Sequence, residues 1–303
     1  MESIERAKFF QDVHLWPLSE DLNYKGWLGN FSLDEQEIAH RLLDFFLYYN
    51  EKMIDKMLQT SIECAGNWLS KNSNGWKHNH FFNRCLYSYI PGESPNPTDS
   101  GLLFSRKLRD TLSIPEVQII NFTEIPDRIS EAKEPVPIIL VDDFVGSGAQ
   151  CDKAWNHNRL GYSGKTLKEI SAKDGHYFIY APLIVNYKGF TRLKSSCKDL
   201  ILTPAHTIGA EYNLFRRECI CWKDEVGSFD LEMFTKGTQL IIDKSHELGI
   251  PFSNGESVID VRGFCEQGLS FAFSHGAPDA ILPLFYWQEE GWTPLIKKNY
   301  ERL

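Results

Sequence analysis

The sequence predicts an α/β fold in which helices flank a mostly parallel, twisted sheet. Three observations favour this class. Between residues 85 and 205, short apolar segments alternate with segments of helical period. Residues 137–141 are apolar throughout, as in a strand that is buried on both faces. A glycine-rich turn follows that strand and leads into a helix, which is the arrangement of a βα unit in a parallel sheet.

The first 80 residues predict an N-terminal helical segment. Ser32 followed by Glu35 has the sequence pattern of a capping box. Apolar residues then recur near the helical period over about 28 residues, which predicts one long helix. Asparagine and glycine between residues 64 and 80 predict a loop or a broken helix.

The elements of the central region follow in order. Short apolar runs predict strands at 85–90, 117–120, 137–142, 176–185 and 199–203. Helical patterns are found from Asp99 or Ser100 to Leu112, and at 149–158, 166–173 and 187–196. Two further segments complete the chain order: an extended proline-rich loop at 91–97, and a polar stretch at 123–135 that leads to the central strand.

The C-terminal region, residues 204–303, is less regular. The pattern at 228–248 predicts an amphipathic helix that stops at Gly249 and Pro251. An aromatic-rich extension follows, which predicts a structured cap.

We therefore expect three parts: an N-terminal helical segment at 1–80, a core at 81–205, and a C-terminal cap at 206–303 that packs on the core. One continuous domain is the alternative.

Composition excludes several classes of protein. The longest apolar runs are too short to cross a membrane, and the N-terminus lacks the apolar region of a signal peptide, so we expect a cytoplasmic protein without membrane association. The net charge of −9 predicts that the free chain binds nucleic acid weakly, because cationic side chains supply most non-specific affinity. The seven cysteines are scattered and indicate no disulfide framework.

The strongest chemical signal lies in residues 136–150. An apolar run ends at the adjacent acids Asp142 and Asp143, and a Gly-Ser-Gly turn at 146–148 precedes the next helix. α/β sheets bind ligands at the carboxyl ends of their strands, and backbone N–H groups at a helix start bind anions. Two carboxylates beside a phosphate site suit a phosphorylated sugar, whose hydroxyl groups the acids bind while the loop holds the 5′-phosphate.

Three other interpretations compete with a sugar-phosphate site. A response-regulator receiver also has acids after an apolar strand, but near its start and without Gly-Ser-Gly behind them. A P-loop requires Gly-Lys-Ser/Thr, which is absent from this segment. In the third, the turn is only a capped βα connection and the acids only cap the helix.

This segment resembles the phosphoribosyl-pyrophosphate motif of type I phosphoribosyltransferases, in which an apolar strand ends in two acids and a Thr/Ser/Gly loop. The resemblance implies a sheet of the type I phosphoribosyltransferase kind. It implies that Asp142 and Asp143 contact the ribose 2′ and 3′ hydroxyls, and that they reach Mg²⁺ only indirectly, through ribose and pyrophosphate oxygens. The residues that match the 5′-phosphate loop are Gly146, Ser147, Gly148, Ala149 and Gln150, of which Gln150 departs from the usual Thr or Ser.

The flanking sequence resembles one particular group of phosphoribosyltransferase-type proteins. The chain is similar to phosphoribosyltransferase-type effectors of bacterial conflict systems, including those associated with retrons, in residues 27–31, 142–150, 275–278, 282–284 and 291–295. This resemblance implies a toxin or antiphage-defence role. It also implies a protein or nucleoprotein partner, such as a reverse transcriptase with its nucleic acid.

Five residues outside the motif are further candidates for ligand contact. Ser100, Arg106 and Arg109 follow the proline-rich loop, near the point where type I enzymes bind pyrophosphate, and arginine suits bidentate phosphate contact. His206 follows the last predicted strand and falls on the ligand edge, while His275 lies among aromatic residues that could stack on a base. The alternatives are a solvated helix face, a buried hydrogen-bonded histidine and an aromatic core.

Together these features predict a protein that binds a ribose 5-phosphate compound. If it is an enzyme, we expect it to make or break a bond at ribose C1′ of a nucleotide or base, as a phosphoribosyltransferase or an N-glycosidase does. The alternative is a non-catalytic nucleotide-sensing or interaction module on the same fold. The loss of the last loop hydroxyl at Gln150 favours that alternative, and the sequence leaves the choice open.

Overall fold

The computed structural model of the chain describes residues 2–18, 21–92, 100–161, 164–171, 176–252, 259–289 and 291–298. Its α-helices, in chain order, are α1 (Glu2–Asp12), α2 (Tyr24–Leu28), α3 (Gln36–Phe45), α4 (Glu51–Asn72), α5 (Ser100–Leu112), α6 (Ile125–Glu131), α7 (Ala149–Asn156), α8 (Leu167–Ser171), α9 (Tyr187–Ser196) and α10 (Leu231–Glu247). Its strands are β1 (Leu47–Tyr49), β2 (Leu86–Tyr89), β3 (Ile138–Val145), β4 (Phe178–Asn186), β5 (Leu200–Leu202), β6 (His206–Ile208), β7 (Ile259–Asp260), β8 (Gly263–Phe264) and β9 (Phe271–Phe273).

The chain folds as two compact units. One unit comprises residues 1–53 together with 209–303, and the other comprises residues 54–208. The three-part division derived from the sequence stays a prediction.

The unit at 54–208 contains the predicted parallel sheet. Its strand order is β2-β3-β4-β5, and β6 pairs with the carboxyl end of β4. Every pairing in this sheet is parallel, with Ile138 of β3 opposite Leu86 on one side and Phe178 on the other. The α/β class and the mostly parallel sheet are confirmed.

Helices cover both faces of this sheet, which is why its central strands carry apolar side chains at successive positions. On one face, Tyr89 of β2 packs against Gly101 of α5. On the other face, Leu86 and Ile90 belong to a buried cluster that also contains Trp155 of α7. The sheet is therefore a middle layer, and its carboxyl edge is where side chains and loops become accessible.

The long N-terminal helix expected after Ser32 is wrong, because the structure has two helices there. Between α3 and α4 the chain becomes extended, and β1 pairs in parallel with β9. Tyr49 packs at 5.8 Å from the ring of Phe271 and at 5.4 Å from that of Phe273. The aromatic residues around β1 are spaced as in a helix, but aromatic residues also favour strands. Pairing with β9, which is distant in the chain, stabilises the strand at this point.

The loop or broken helix expected at 64–80 is wrong over its first half, since α4 continues to Asn72. Gly66 lies inside this helix beneath the ring of Phe81, where an added Cβ would approach the ring to 2.8 Å. The glycine is thus a packing residue in a helix and not a helix breaker.

Two other local predictions differ from the structure. Residues Glu116–Gln118 form a 3₁₀ turn where a strand was expected at 117–120, and only an isolated bridge joins Ile119 to Tyr87 of β2. The polar stretch at 123–135 contains α6. The helices predicted at 149–158 and 187–196 are confirmed as α7 and α9.

The unit at 1–53 and 209–303 joins the two ends of the chain through an aromatic core. The indole of Trp27 donates a hydrogen bond to the carbonyl of Leu284 at 3.1 Å, and its ring lies 5.5 Å from that of Phe285. The predicted helix at 228–248 is present as α10. Among the described helices, none combines the length and the apolar character needed to cross a membrane.

Candidate active site

The acidic pair lies near the carboxyl end of β3. The strand continues to Val145, so both acids belong to the strand itself, and the turn at 146–148 then begins α7. Their carboxyl groups lie within hydrogen-bonding reach of one another.

Asp142 points into the protein and is 4% exposed. Its Oδ2 accepts a hydrogen bond from the hydroxyl of Tyr180 in β4 at 2.6 Å, and its Oδ1 accepts one from the backbone N–H of Asp143 at 2.9 Å. Burial raises the pKa of Asp142 well above its usual range, and the nearby charge of Asp143 raises it further. Burial likewise raises the pKa of Tyr180, so its hydroxyl remains a proton donor.

Asp143 is partly exposed. Its Oδ1 accepts hydrogen bonds from the N–H of Phe144 at 2.8 Å and from the hydroxyl of Ser100 at 3.3 Å. Ser100 is the first residue of α5. The structure therefore brings Ser100, a candidate for ligand contact, to the acidic pair.

The turn after β3 is held in place by close backbone packing. Gly148 has φ +74° and forms the N-cap of α7, in the left-handed conformation that favours glycine. A Cβ on Gly148 would lie 3.1 Å from the carbonyl oxygen of Gly189 in α9. In turn, a Cβ on Gly189 would lie 2.7 Å from the carbonyl oxygen of Gly146. Two glycines thus let the turn rest directly on the first turn of α9.

The side chains in the turn have local hydrogen-bond roles. The Oγ of Ser147 accepts a bond from the N–H of Ala149 at 3.3 Å. The amide of Gln150 donates to the carbonyl of Pro91 at 3.0 Å and to that of Ile90 at 3.4 Å. Gln150 therefore ties the start of α7 to the residues after β2. The part of the predicted proline-rich loop beyond Gly92 lies outside the described residues.

Two predicted phosphate contacts, Arg106 and Arg109, are not brought to the acidic pair. They lie about 9 Å and 13 Å further along α5 than Ser100, at 1.5 Å per residue. Arg106 pairs with Asp110, while Arg109 pairs with Asp110 and Glu116. A role in phosphate binding stays a prediction for both arginines.

The two candidate histidines lie in different units. His206 begins β6 and is in register with Ile184 of β4, which is itself in register with Phe144 of β3. His206 therefore lies two strand spacings from β3, about 10 Å, along the same carboxyl edge of the sheet. His275 belongs to the other unit, where its ring stacks on Phe273 at 5.1 Å.

The donor set fits a magnesium ion that a ligand carries to the site. Among the described residues, no three His, Cys, Asp or Glu side chains are grouped so as to hold a metal ion. Mg²⁺ commonly binds one or two carboxylates and completes its coordination with phosphate oxygens and water. The partly exposed carboxylate of Asp143 offers one such ligand. The indirect metal contact that the resemblance implies for both acids stays a prediction.

Two residues of this site were missed from the sequence. Tyr180 lies inside a predicted strand, and its only signal is a hydroxyl among apolar neighbours. Gly189 lies inside a predicted helix, where a glycine that costs helix stability is a sign of close packing.

Together, the parallel sheet, the acidic pair and the glycine turn at its carboxyl edge define a phosphoribosyltransferase-like α/β protein. A family model described as PRTase-CE matches residues 24–298, and the chain belongs to this family. The match confirms the resemblance to phosphoribosyltransferase-like effector proteins and the predicted fold class. Neither the curated proteins nor the solved structures include a match to the chain.

The close packing of the turn on α9 can be tested with Gly148→Ala. Gly75→Ala is a matched control, because Gly75 has φ +73° and no heavy atom within 4 Å of an added Cβ. The control should lose roughly 1–2 kcal/mol of unfolding free energy, the cost of left-handed backbone for a non-glycine residue. Gly148→Ala should lose at least roughly 1 kcal/mol more through overpacking. Urea unfolding measures both, and equal losses would show that Gly189 does not constrain the turn.

Asp142 should also give folding stability a measurable pH dependence. The folded protein holds this proton more tightly than the unfolded chain does, so the stability contribution of Asp142 falls as pH rises from about 3.8 through its raised pKa. The groups that face it are Asp143, Tyr180 and the Cys151 thiol. Asp142→Asn should remove this decline from unfolding free energies measured between about pH 4 and pH 8.

The control for the pH experiment is Asp110→Asn. A hydrogen bond from Arg109 lowers the pKa of Asp110, so this acid contributes stability that grows with pH. That growth is complete near the ordinary pKa of about 3.8, so Asp110→Asn should leave the slope of the profile between about pH 4 and pH 8 as in wild type. Parallel profiles for wild type and Asp142→Asn would contradict a buried, proton-retaining Asp142.

Proposed function

We propose that this protein binds a ribose 5-phosphate compound at the carboxyl edge of β3, with the 5′-phosphate in the turn at 146–150. The observation that carries the proposal is the glycine-capped start of α7 beside the partly exposed carboxylate of Asp143. Ser147 accepts from the N–H of Ala149, and Gly148 has no side chain to accept from the N–H groups that follow, so a phosphate oxygen can take that capping position. The positive end of the helix dipole favours the same anion.

The sugar would lie between this turn and Asp143. A carboxylate accepts hydrogen bonds from vicinal hydroxyl groups, and these charge-assisted bonds are stronger than neutral ones. Ser100 and the N–H of Phe144 hold one oxygen of Asp143, which limits the rotation of its side chain. A ribose whose phosphate lies in the turn would therefore contact a carboxylate whose orientation is already fixed.

If the protein is catalytic, the reaction is the making or breaking of a bond at ribose C1′. The ring gains positive charge as the leaving group departs, and the negative charge of Asp143 stabilises it. Mg²⁺, when bound with a pyrophosphate group, neutralises the departing charge. The chain itself supplies position and electrostatics, and the reaction needs no covalent nucleophile.

As its biological role, we propose a phosphoribosyltransferase-like toxin of a bacterial antiphage defence system of the retron type. The PRTase-CE family match supports this role, as does the similarity of the flanking segments to conflict-system effectors. The target would be a nucleotide pool or a nucleic-acid base in the cytoplasm. A protein or nucleoprotein partner, such as a reverse transcriptase with its nucleic acid, would restrain the activity until infection.

A second candidate function is nucleotide sensing without turnover. The observation that favours it is the position of Gln150, whose amide is engaged by the carbonyls of Ile90 and Pro91. The loop thus lacks the hydroxyl that type I enzymes place there.

Binding of the phosphate can be tested by titration calorimetry of wild type with ribose 5-phosphate and with ribose. We expect only the phosphorylated sugar to bind. Ser147→Ala should weaken ribose 5-phosphate binding by roughly 1.5–3 kcal/mol, the range for a hydrogen bond to a charged group. Ser195→Ala, at an exposed hydroxyl near the end of α9, is the matched control and should bind as wild type does.

Equal affinity for ribose and ribose 5-phosphate would refute the phosphate site. A pyrophosphate-release assay with phosphoribosyl pyrophosphate, Mg²⁺ and a panel of bases then separates the two candidate functions. Release supports the transferase, and binding without release supports the sensor.

A further inference from the structure

We propose that the outer surface of α9 binds the phosphate backbone of a single-stranded nucleic acid. The partner is identified by its chemistry: a flexible chain of regularly spaced anions that carries unpaired aromatic bases. This inference goes beyond the proposed sugar-phosphate site and does not depend on it. It gives a role to a charge pattern that neither the acidic pair nor the glycine turn uses.

The first support is a local reversal of charge. Residues 149–198 contain nine Lys and Arg residues against three Asp and Glu residues, although the whole chain carries −9. The helices of this segment, α7, α8 and α9, pack on one face of the sheet, where they share the buried cluster around Trp155 and Phe178. That face therefore carries net positive charge on an otherwise acidic protein, and a basic patch attracts polyanions.

The second support is the composition of α9 and the two residues after it. This stretch contains no acid and four cations, which are Lys188, Arg192, Lys194 and Lys198. Lys194 and Lys198 are exposed, and Lys188 and Arg192 are half-buried. Gly189 and Leu193 occupy the buried side of the helix. The cations thus line the outer side of a helix that is about 15 Å long.

The stability of the helix does not account for this pattern. The helix dipole favours a cation in the last turn, as at Lys194, but disfavours one in the first turn, where Lys188 lies. Exposed cations elsewhere, such as Arg106 of α5 and Lys236 of α10, pair with an acid one turn away in the same helix. Because α9 contains no acid, no ion pair within the helix balances its charges, and an external anion can do so.

The third support is aromatic surface beside the cations. Tyr187, the first residue of α9, is 44% exposed. The Nζ of Lys194 lies 5.5 Å from the ring centre of Phe190, which is half-buried. Surfaces for single strands combine cations that follow the backbone with aromatic rings on which the bases stack. This combination favours unpaired bases over a duplex, whose bases stack on one another, and over an acidic protein, which has no bases.

The fourth support is the position of the surface. Gly189, in the first turn of α9, contacts the turn at 146–148. The basic surface therefore begins at the carboxyl edge of the sheet, and a strand bound along α9 would pass this edge. The weak binding that the net charge predicts at physiological salt still holds, because four cations neutralise few phosphates.

The test measures binding of the full chain to a fluorescent oligothymidylate of about twelve nucleotides by fluorescence anisotropy over a series of salt concentrations. Each neutralised phosphate of a single strand contributes about −0.7 to the slope of log affinity against log salt concentration. Four contacts predict a slope of about −3 for wild type. Lys194→Gln combined with Lys198→Gln should bring the slope to about −1.5 and weaken binding at about 50 mM salt by about tenfold.

The matched control is Lys52→Gln combined with Lys56→Gln, which removes two exposed lysines of α4 and changes the net charge equally. Its slope should remain that of wild type. Tyr187→Ala should weaken binding at least about fivefold without a change of slope, since it removes a stacking surface and no cation. Equal slopes for the two double variants would overturn the assignment of the surface to α9.

Two competitors test the chemistry of the partner. Polyglutamate, and a thymidylate–adenylate duplex of the same length, should each displace the fluorescent single strand less well than unlabelled oligothymidylate does. If either competes equally well or better, α9 does not select single-stranded nucleic acid and the proposal is wrong. Titration with ribose 5-phosphate is measured in parallel: wild type that binds oligothymidylate but not the sugar phosphate would refute the proposed function and support the α9 surface.

Discussion

The arrangement of the site depends on the backbone contact between the turn after β3 and the first turn of α9. Gly148 and Gly189 approach so closely that a side chain on either would meet the backbone of the other segment. This contact sets the start of α7 beside the end of β3, so the N–H groups of the helix and the carboxylate of Asp143 belong to one edge. Neither β3 nor α7 alone determines that geometry, because α9 supplies the surface on which the turn rests.

A site for an anionic ligand next to two acids requires that negative charge be limited. The protein as a whole carries −9, so no general excess of cations attracts a phosphate. Burial raises the pKa of Asp142, which favours its neutral form and leaves Asp143 as the main negative group facing the edge. The α7 dipole offsets part of the remaining charge, and a ligand-borne cation would offset more. The predicted cations Arg106 and Arg109 both pair with Asp110, and Arg109 also pairs with Glu116.

The sequence predicted the parallel core because the physical signals there are local. Strands β3 and β4 are apolar on both faces, and α9 occupies the residues that the helical pattern predicts. The break between α3 and α4 was not predictable in this way, since β1 forms only by pairing with β9, which is distant in the chain.

The site was predictable in composition but not in geometry. The acids and the glycine turn are visible as a motif, and Ser100, a predicted ligand contact, is hydrogen-bonded to Asp143 in the structure. The burial of Asp142 and the partial exposure of Asp143 depend on the course of β3, which extends to Val145 and beyond the end at 142 that the sequence predicts. The partners Tyr180 and Gly189 depend on the alignment of β3 with β4 and of α7 with α9, which no single-segment pattern contains.

The central claim is that the turn at 146–150 binds the phosphate of a sugar phosphate. Backbone amide resonances of the ¹⁵N-labelled chain, followed during titration with ribose 5-phosphate and separately with ribose, test it residue by residue. We expect the amides of residues 147–151 to shift saturably with ribose 5-phosphate and to remain unchanged with ribose. Shifts confined to other residues, or equal shifts with both sugars, would contradict the claim.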